Sequence, residues 1–236
     1  MDYRRFWPAA KPKNSEGPNR IISLHFPKAA GTSLKNQLQS LLGDDVLMDY
    51  SHDPVTPAGA ATAEFPRGKR VVHGHFRASR YASSQAYWVT FLREPVDNLI
   101  SIYFYWRSLR KPGHELHARF LRDKPSILEF STYPTIQRLM SETYFGGFDM
   151  NRFDFIGFHD TRSRDMRTLA HALDLELQAS IHDNKTAVTD ERCRVLNDRE
   201  VIGKLKHRLA DDIEFYNVAR ARRVEAYENA ALPTAV

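Results

Sequence analysis

An α/β fold with a mainly parallel central sheet flanked by helices is predicted by three features of the sequence. Short runs rich in β-branched and aromatic residues recur along the chain, each run is followed by polar or helix-opening sequence, and helical patterns lie between the runs. Strands that alternate with helices return through crossovers, which makes the strands parallel and covers both faces of the sheet. At 236 residues the chain falls in the range of one large α/β domain.

Taken in order, residues 1–19 are rich in Pro, Lys, Asn and Gly and read as a flexible tail, which leaves 20–236 as one domain. The predicted strands are IISLHF (21–26), KRVVHGH (69–75), AYWVTFL (86–92) and FDFIGF (153–158). Helices are predicted over 32–42, 95–110 and 162–173, after the first, third and fourth runs. The stretch 49–67, with three prolines and many alanines, reads as a long surface loop bordering the site. Ile202, Leu205, Leu209, Ile213 and Tyr216 recur at three and four, the spacing of one buried helical stripe.

The 34 Lys and Arg exceed the 29 Asp and Glu by five charges, which points to an anionic ligand. These cations are scattered among acids, so no nucleic-acid partner is expected. The single cysteine, Cys193, permits no internal disulfide and suits a reducing compartment. The first twenty residues hold no apolar core of signal-peptide length, and no segment approaches the roughly 18 apolar residues of a membrane span. A cytoplasmic location is the expectation.

The densest motif is HFPKAAGTSL, residues 25–34. A strand ending at Phe26 and turning into a helix near Thr32 aims unpaired N–H groups and the positive end of the helix dipole at one point. Gly31 lets backbone approach a ligand, Thr32 and Ser33 add hydroxyls, and Lys28 adds a mobile charge. A phosphate or sulfate cradle follows. The nucleotide-triphosphatase pattern GxxxxGK[ST] puts its lysine after the glycine; here Lys28 precedes Gly31 by three residues, and no Gly-Lys pair precedes a Ser or Thr.

Two further segments carry chemistry. In LREPVDNLISIYFYW, Arg93 sits at a strand end, Pro95 suits a first helical turn, and Ser101 lies about two turns into that helix. An arginine fork and a hydroxyl can grip a second phosphate, although Glu94 and Asp97 are nearby carboxylates for the same arginine. His73-Gly74-His75 ends the second run. The pair can serve as a base with its support, or simply as two hydrogen-bonded histidines. No Cys or carboxylate cluster completes a zinc set, so no metal is expected.

Together the segments resemble sulfotransferases that use 3′-phosphoadenosine 5′-phosphosulfate (PAPS), in particular the carbohydrate branch containing heparan sulfate and uronosyl 2-O-sulfotransferases. PKAAGTSL is similar to that branch's PKTAGTSL loop, LREPVDNLISIYFYW to its RDPxxRxxSxY element, and HGH to the HGH of the 2-O enzymes. FDFIGFHDTRSRDMRTLAHAL and DIEFYNVA extend the likeness, which runs from Ile21 to Ala219. The resemblance implies a P-loop-like nucleotide-binding sulfotransferase fold, with PAPS as donor and PAP as product. It implies that Lys28, Ala30, Gly31, Thr32 and Ser33 surround the phosphosulfate, and that Arg93 and Ser101 hold the 3′-phosphate. His75 is then the general base, with His73 supporting it and Lys28 also catalytic. The implied partner is a hydroxyl-bearing acceptor, a carbohydrate or glycolipid. The sequence departs from the pattern at Glu94, where Asp is usual, and at Asn98, where Arg is frequent.

The chemistry agrees with the residues. Sulfuryl transfer needs in-line approach, removal of the hydroxyl proton and stabilisation of charge on the departing phosphate oxygen. His75 suits the second need and Lys28 the third. Two other classes share parts of the pattern: a magnesium-dependent nucleotide kinase or triphosphatase, and a non-enzymatic nucleic-acid binder.

Overall fold

The computed structural model describes residues 18–29, 31–179 and 189–231, with side chains through 223. Its centre is a five-stranded sheet in the order β2-β3-β1-β4-β5, with every neighbouring pair parallel. The strands are β1 (Ile21–Leu24), β2 (Val46–Asp49), β3 (Val71–Gly74), β4 (Tyr87–Leu92) and β5 (Phe153–Phe158). The α/β class and the parallel central sheet are as the sequence predicts.

β1 lies in the middle, and Ile21, Ile22, Leu24, Val71 and Val72 are all sealed from solvent, as strands covered on both faces must be. Ser23 and His73 face each other in register across β1 and β3, and Ser23 Oγ lies 2.9 Å from His73 Nδ1. The bond accounts for one ring nitrogen of His73, whereas Nε2 is buried without a hydrogen-bond partner among the described residues. β4 and β5 slip register at Trp88 and Val89, where the Trp88 N–H donates instead to the Asp154 carboxylate at 2.9 Å. That bond replaces the ladder bond the irregularity removes.

Three helices match the sequence reading: α1 (Gly31–Leu42), α2 (Pro95–Ser108) and, further on, the helix over Arg162–Leu173. Between them come α3 (Glu115–Asp123), α4 (Ile127–Phe130) and α5 (Pro134–Gln137), so the last of the three is α6. A turn of π-helix, Leu139–Tyr144, follows α5. The apolar stripe near the carboxy terminus crosses two helices rather than one. α8 (Arg199–Arg208) follows α7 (Asp190–Asn197), and α9 (Ala210–Ala231) begins after a break at Leu209, yet Leu205, Leu209 and Tyr216 remain buried.

The sequence reading missed β2, an edge strand of four residues paired in register with β3. β2 takes the first residue of the expected 49–67 loop, and Pro57–Ala60 within that loop forms a 3₁₀ turn. Gly74 makes the β2 pairing possible: a Cβ there would lie 1.8 Å from the Asp49 carbonyl oxygen. Among the described residues no helix is long and apolar enough to cross a membrane.

Candidate active site

The carboxyl ends of β1, β3 and β4 are neighbours in the sheet, so the segments after them share one crevice. Beyond Leu24, His25 still donates its N–H to the Gly74 carbonyl at 2.8 Å. The chain then turns through Pro27–Ala29, and Lys28 adopts φ +58°, in the left-handed region. A lysine there costs about 1–3 kcal/mol and persists only where its surroundings hold it. Two residues of the β4–α2 segment do so. Asn98 donates Nδ2 to the Pro27 carbonyl at 2.7 Å, and Arg93 donates Nη1 to the Lys28 carbonyl at 3.0 Å.

Gly31 opens α1 with its backbone against the His25 ring; a Cβ would lie 1.8 Å from His25 Cδ2. The close approach that this glycine permits is therefore to an imidazole of the same chain. Thr32 lines the chamber in front of the loop. Ser33 is buried, and its hydroxyl accepts from Arg162 Nη2 at 2.5 Å and from Gln37 Nε2 at 3.4 Å. Ala30 lies outside the described residues.

His75 is held by a bond that fixes its tautomer. Nδ1 lies 2.7 Å from the His25 carbonyl oxygen, which can only accept, so Nδ1 carries the proton and Nε2 holds the lone pair. The Tyr144 hydroxyl sits 3.2 Å from the same Nδ1. His25 stacks on His75 with centroids 4.2 Å apart, and its own Nδ1 meets the Tyr50 hydroxyl at 2.8 Å. Burial lowers the pKa of all three histidines, to about 3 for His73, and mutual repulsion deepens the effect at His25. At His75 the Asp53 carboxylate and the His25 carbonyl oppose that fall. The cluster is therefore neutral at pH 7, and His75 has an acceptor nitrogen.

Lys28 is the cation beside it. Burial, then the charges of Arg93 and Arg192, lower its pKa to about 8. Its Nζ lies 4.2 Å from the centre of the Tyr105 ring. Mutual repulsion of this kind marks a place where an anion would be welcome. Arg93 gives Nε and Nη2 to Asp97, each at 2.7 Å. Glu94 caps α2 by accepting the Asp97 N–H at 2.7 Å. Ser101 is buried in α2 at 1% exposure.

His25, Lys28, Thr32 and His75 line one chamber of about 230 Å³. Asp53 and Val55 come to it from the loop after β2, Ile102, Tyr105, Trp106 and Leu109 from α2 and its end, and His114 and His117 from the start of α3. Ile136, Leu139 and Tyr144 close it. The structure thus brings together Lys28, Thr32 and His75, sets Gly31 and His73 directly behind them, and turns Ser33 and Arg93 toward protein partners. His25, Tyr50, Asp53 and Tyr144 escaped the sequence reading. His25 stood inside the motif and carried the residue-type signal, whereas the other three are joined to the site only by folding. Among the described residues no group of three or more His, Cys, Asp or Glu is arranged to hold a metal ion.

No protein-family model matches the chain, and no curated protein matches it by sequence. Among solved structures it is similar to mouse sulfotransferase SULT7A1 complexed with PAP, at 13% identity over 89% of each chain, with a TM-score of 0.43. It is also similar to a sulfotransferase from Alicyclobacillus acidocaldarius, at 13% identity over 83% of this chain and 95% of that one, with a TM-score of 0.39.

Proposed function

We propose that the chain transfers a sulfuryl group from PAPS to an acceptor hydroxyl and releases adenosine 3′,5′-bisphosphate (PAP). One observation carries this reading: an imidazole with its lone pair at Nε2 and a half-buried lysine crowded by arginines line the same chamber. His75 Nε2 takes the acceptor proton as the acceptor oxygen bonds to sulfur. The bond from sulfur to the 5′-phosphate oxygen breaks, and the Lys28 ammonium meets the charge left on that oxygen. Thr32 and the N–H groups of the first turn of α1, which opens at Gly31, surround the phosphosulfate together with Ala30.

Ser33 braces α1 against Arg162 in this reading, so Thr32 supplies the hydroxyl that faces the donor. The 3′-phosphate meets Arg93 and Ser101. Arg93 reaches it by exchanging the 40% exposed Asp97 carboxylate for the phosphate. His73 supports the base by packing its ring 5.3 Å from that of His25, which stacks on His75, and the resemblance of the motifs directs the first acceptor screen to carbohydrate and glycolipid hydroxyls.

Transfer of label from ³⁵S-PAPS to an acceptor pool tests the reading. His75→Ala should keep PAP affinity and lose about 10²–10⁴ in turnover, the usual worth of a placed base. Lys28→Ala should weaken both binding and turnover. Normal transfer by His75→Ala would remove the base from the account. Activity that collapses on chelation would instead mark a magnesium-dependent kinase or triphosphatase.

A further inference from the structure

Beyond the donor and the base, the chamber describes its acceptor. The chamber's apolar lining comes from Ile102, Trp106, Leu109, Ile136 and Leu139, a surface a ring can fill. The two histidines that α3 and its cap bring to this lining are largely consumed. His117 places Nε2 3.0 Å from the Trp106 carbonyl and accepts the Gly113 N–H at Nδ1, at 3.2 Å. His114 spends Nδ1 on the His117 N–H at 3.2 Å, capping α3. A polyol packed there would find few partners for its hydroxyls and would leave some of them unpaired.

Asp53 is the exception. One of its oxygens accepts the Val55 N–H at 3.1 Å, and its backbone carbonyl takes the Thr56 N–H and hydroxyl, which fixes the residue in the loop. Among the described residues no lysine or arginine pairs with it, although it lines the same chamber as His75, His114 and Tyr144. Lys28, the cation that shares the chamber, is given to the donor in this reading, so a carboxylate on the chamber wall that forms no ion pair with a described lysine or arginine favours an acceptor that supplies the cation.

We propose that the acceptor hydroxyl is carried on an apolar, ring-sized body whose positive charge meets Asp53. The inference rests on the sulfuryl-transfer reading and departs from the sugar that the motifs imply. It is tested on the full chain with ³⁵S-PAPS and four alcohols of similar size: 4-(aminomethyl)cyclohexanol, 4-ethylcyclohexanol, 4-(carboxymethyl)cyclohexanol and methyl glucoside. The cationic alcohol should exceed the neutral one by about tenfold in kcat/KM, the effect of one charge-assisted bond. The carboxylate and the glucoside should be slower than the neutral alcohol. Asp53→Asn should bring the ratio of cationic to neutral alcohol close to one, whatever its effect on each rate alone.

A preference for the glucoside or the carboxylate, or a ratio unmoved by Asp53→Asn, overturns the inference. Calorimetry with PAP separates this failure from that of the parent reading. PAP binding with no transfer to any of the four alcohols rejects the acceptor class alone. Absence of both binding and transfer rejects sulfuryl transfer itself.

Discussion

In the proposed transfer His75 and Lys28, which line one chamber, have opposite requirements for the proton. His75 acts only when neutral, and burial lowers its pKa below the ordinary 6.5. Lys28 acts only when charged, and burial with the nearby arginines brings its pKa down to about 8. The free enzyme's kcat/KM should therefore be bell-shaped, with its acid limb below pH 6.5 and its alkaline limb near pH 8. Lys28→Arg, whose guanidinium stays charged, should remove the alkaline limb. An alkaline limb that survives this substitution unchanged would assign it to another group. Gly31 belongs to the same scale. Its missing Cβ lets His25 lie against the start of α1, and His25 in turn presents the carbonyl that sets the tautomer of His75.

The π-helical turn Leu139–Tyr144 brings Leu139 and Tyr144 to the chamber, and it is held from a distant helix. Asp212 of α9 accepts the Met140 N–H at 2.9 Å, the Ser141 N–H at 2.7 Å and the Ser141 hydroxyl at 2.6 Å. An amide has one acceptor oxygen where the carboxylate has two, so Asp212→Asn should destabilise the fold by about 1–3 kcal/mol. Burial raises the Asp212 pKa to about 6, against the opposing pull of those bonds. The native state therefore binds the proton more readily than the unfolded chain, and this carboxyl's contribution to stability falls as pH rises from about 4 to 6. Urea unfolding should show the cost of Asp212→Asn shrinking from pH 4 to pH 7; a cost that grows would refute the assignment. Such an element is hard to read in advance, because its anchor lies seventy residues further along the chain. β2 was hidden for a different reason: VLMD is too short to show a period, and its pairing with β3 depends on the space left by Gly74. α4 did carry a local signal, the Ser126 and Glu129 capping box, whereas β1, β3, β4, β5, α1, α2 and α6 were legible because each run ends at residues of opposite character.

At the scale of the molecule, the parallel sheet gathers three carboxyl strand ends and places His25, His73 and His75 together at and just beyond them. All three have pKa values below those of the unfolded chain, so the stability tied to their neutral forms is present above pH 6.5 and is lost as pH falls below it. His73→Asn, which keeps a donor near the position of Nδ1, should flatten the loss of stability between pH 6.5 and 4.5 in urea titrations. A wild-type and a variant curve of equal slope would show that the cluster is not neutral in the folded chain. The motifs were legible as a set, since a strand-end lysine, an arginine and an imidazole each announce a charge problem by residue type. Their partners were not: Tyr50 and Tyr144 reach the imidazoles, and Asn98 reaches the loop, only after the sheet has formed. The central claim is that these segments build one chamber for a 3′-phosphorylated adenylate beside an imidazole base. Calorimetric titration of the full chain with PAP, ADP and ATP tests it most directly. The account predicts PAP binding at least about tenfold tighter than either other nucleotide, as one additional charge-assisted phosphate contact would give; equal affinity for all three, or tighter binding of magnesium ATP, would contradict it.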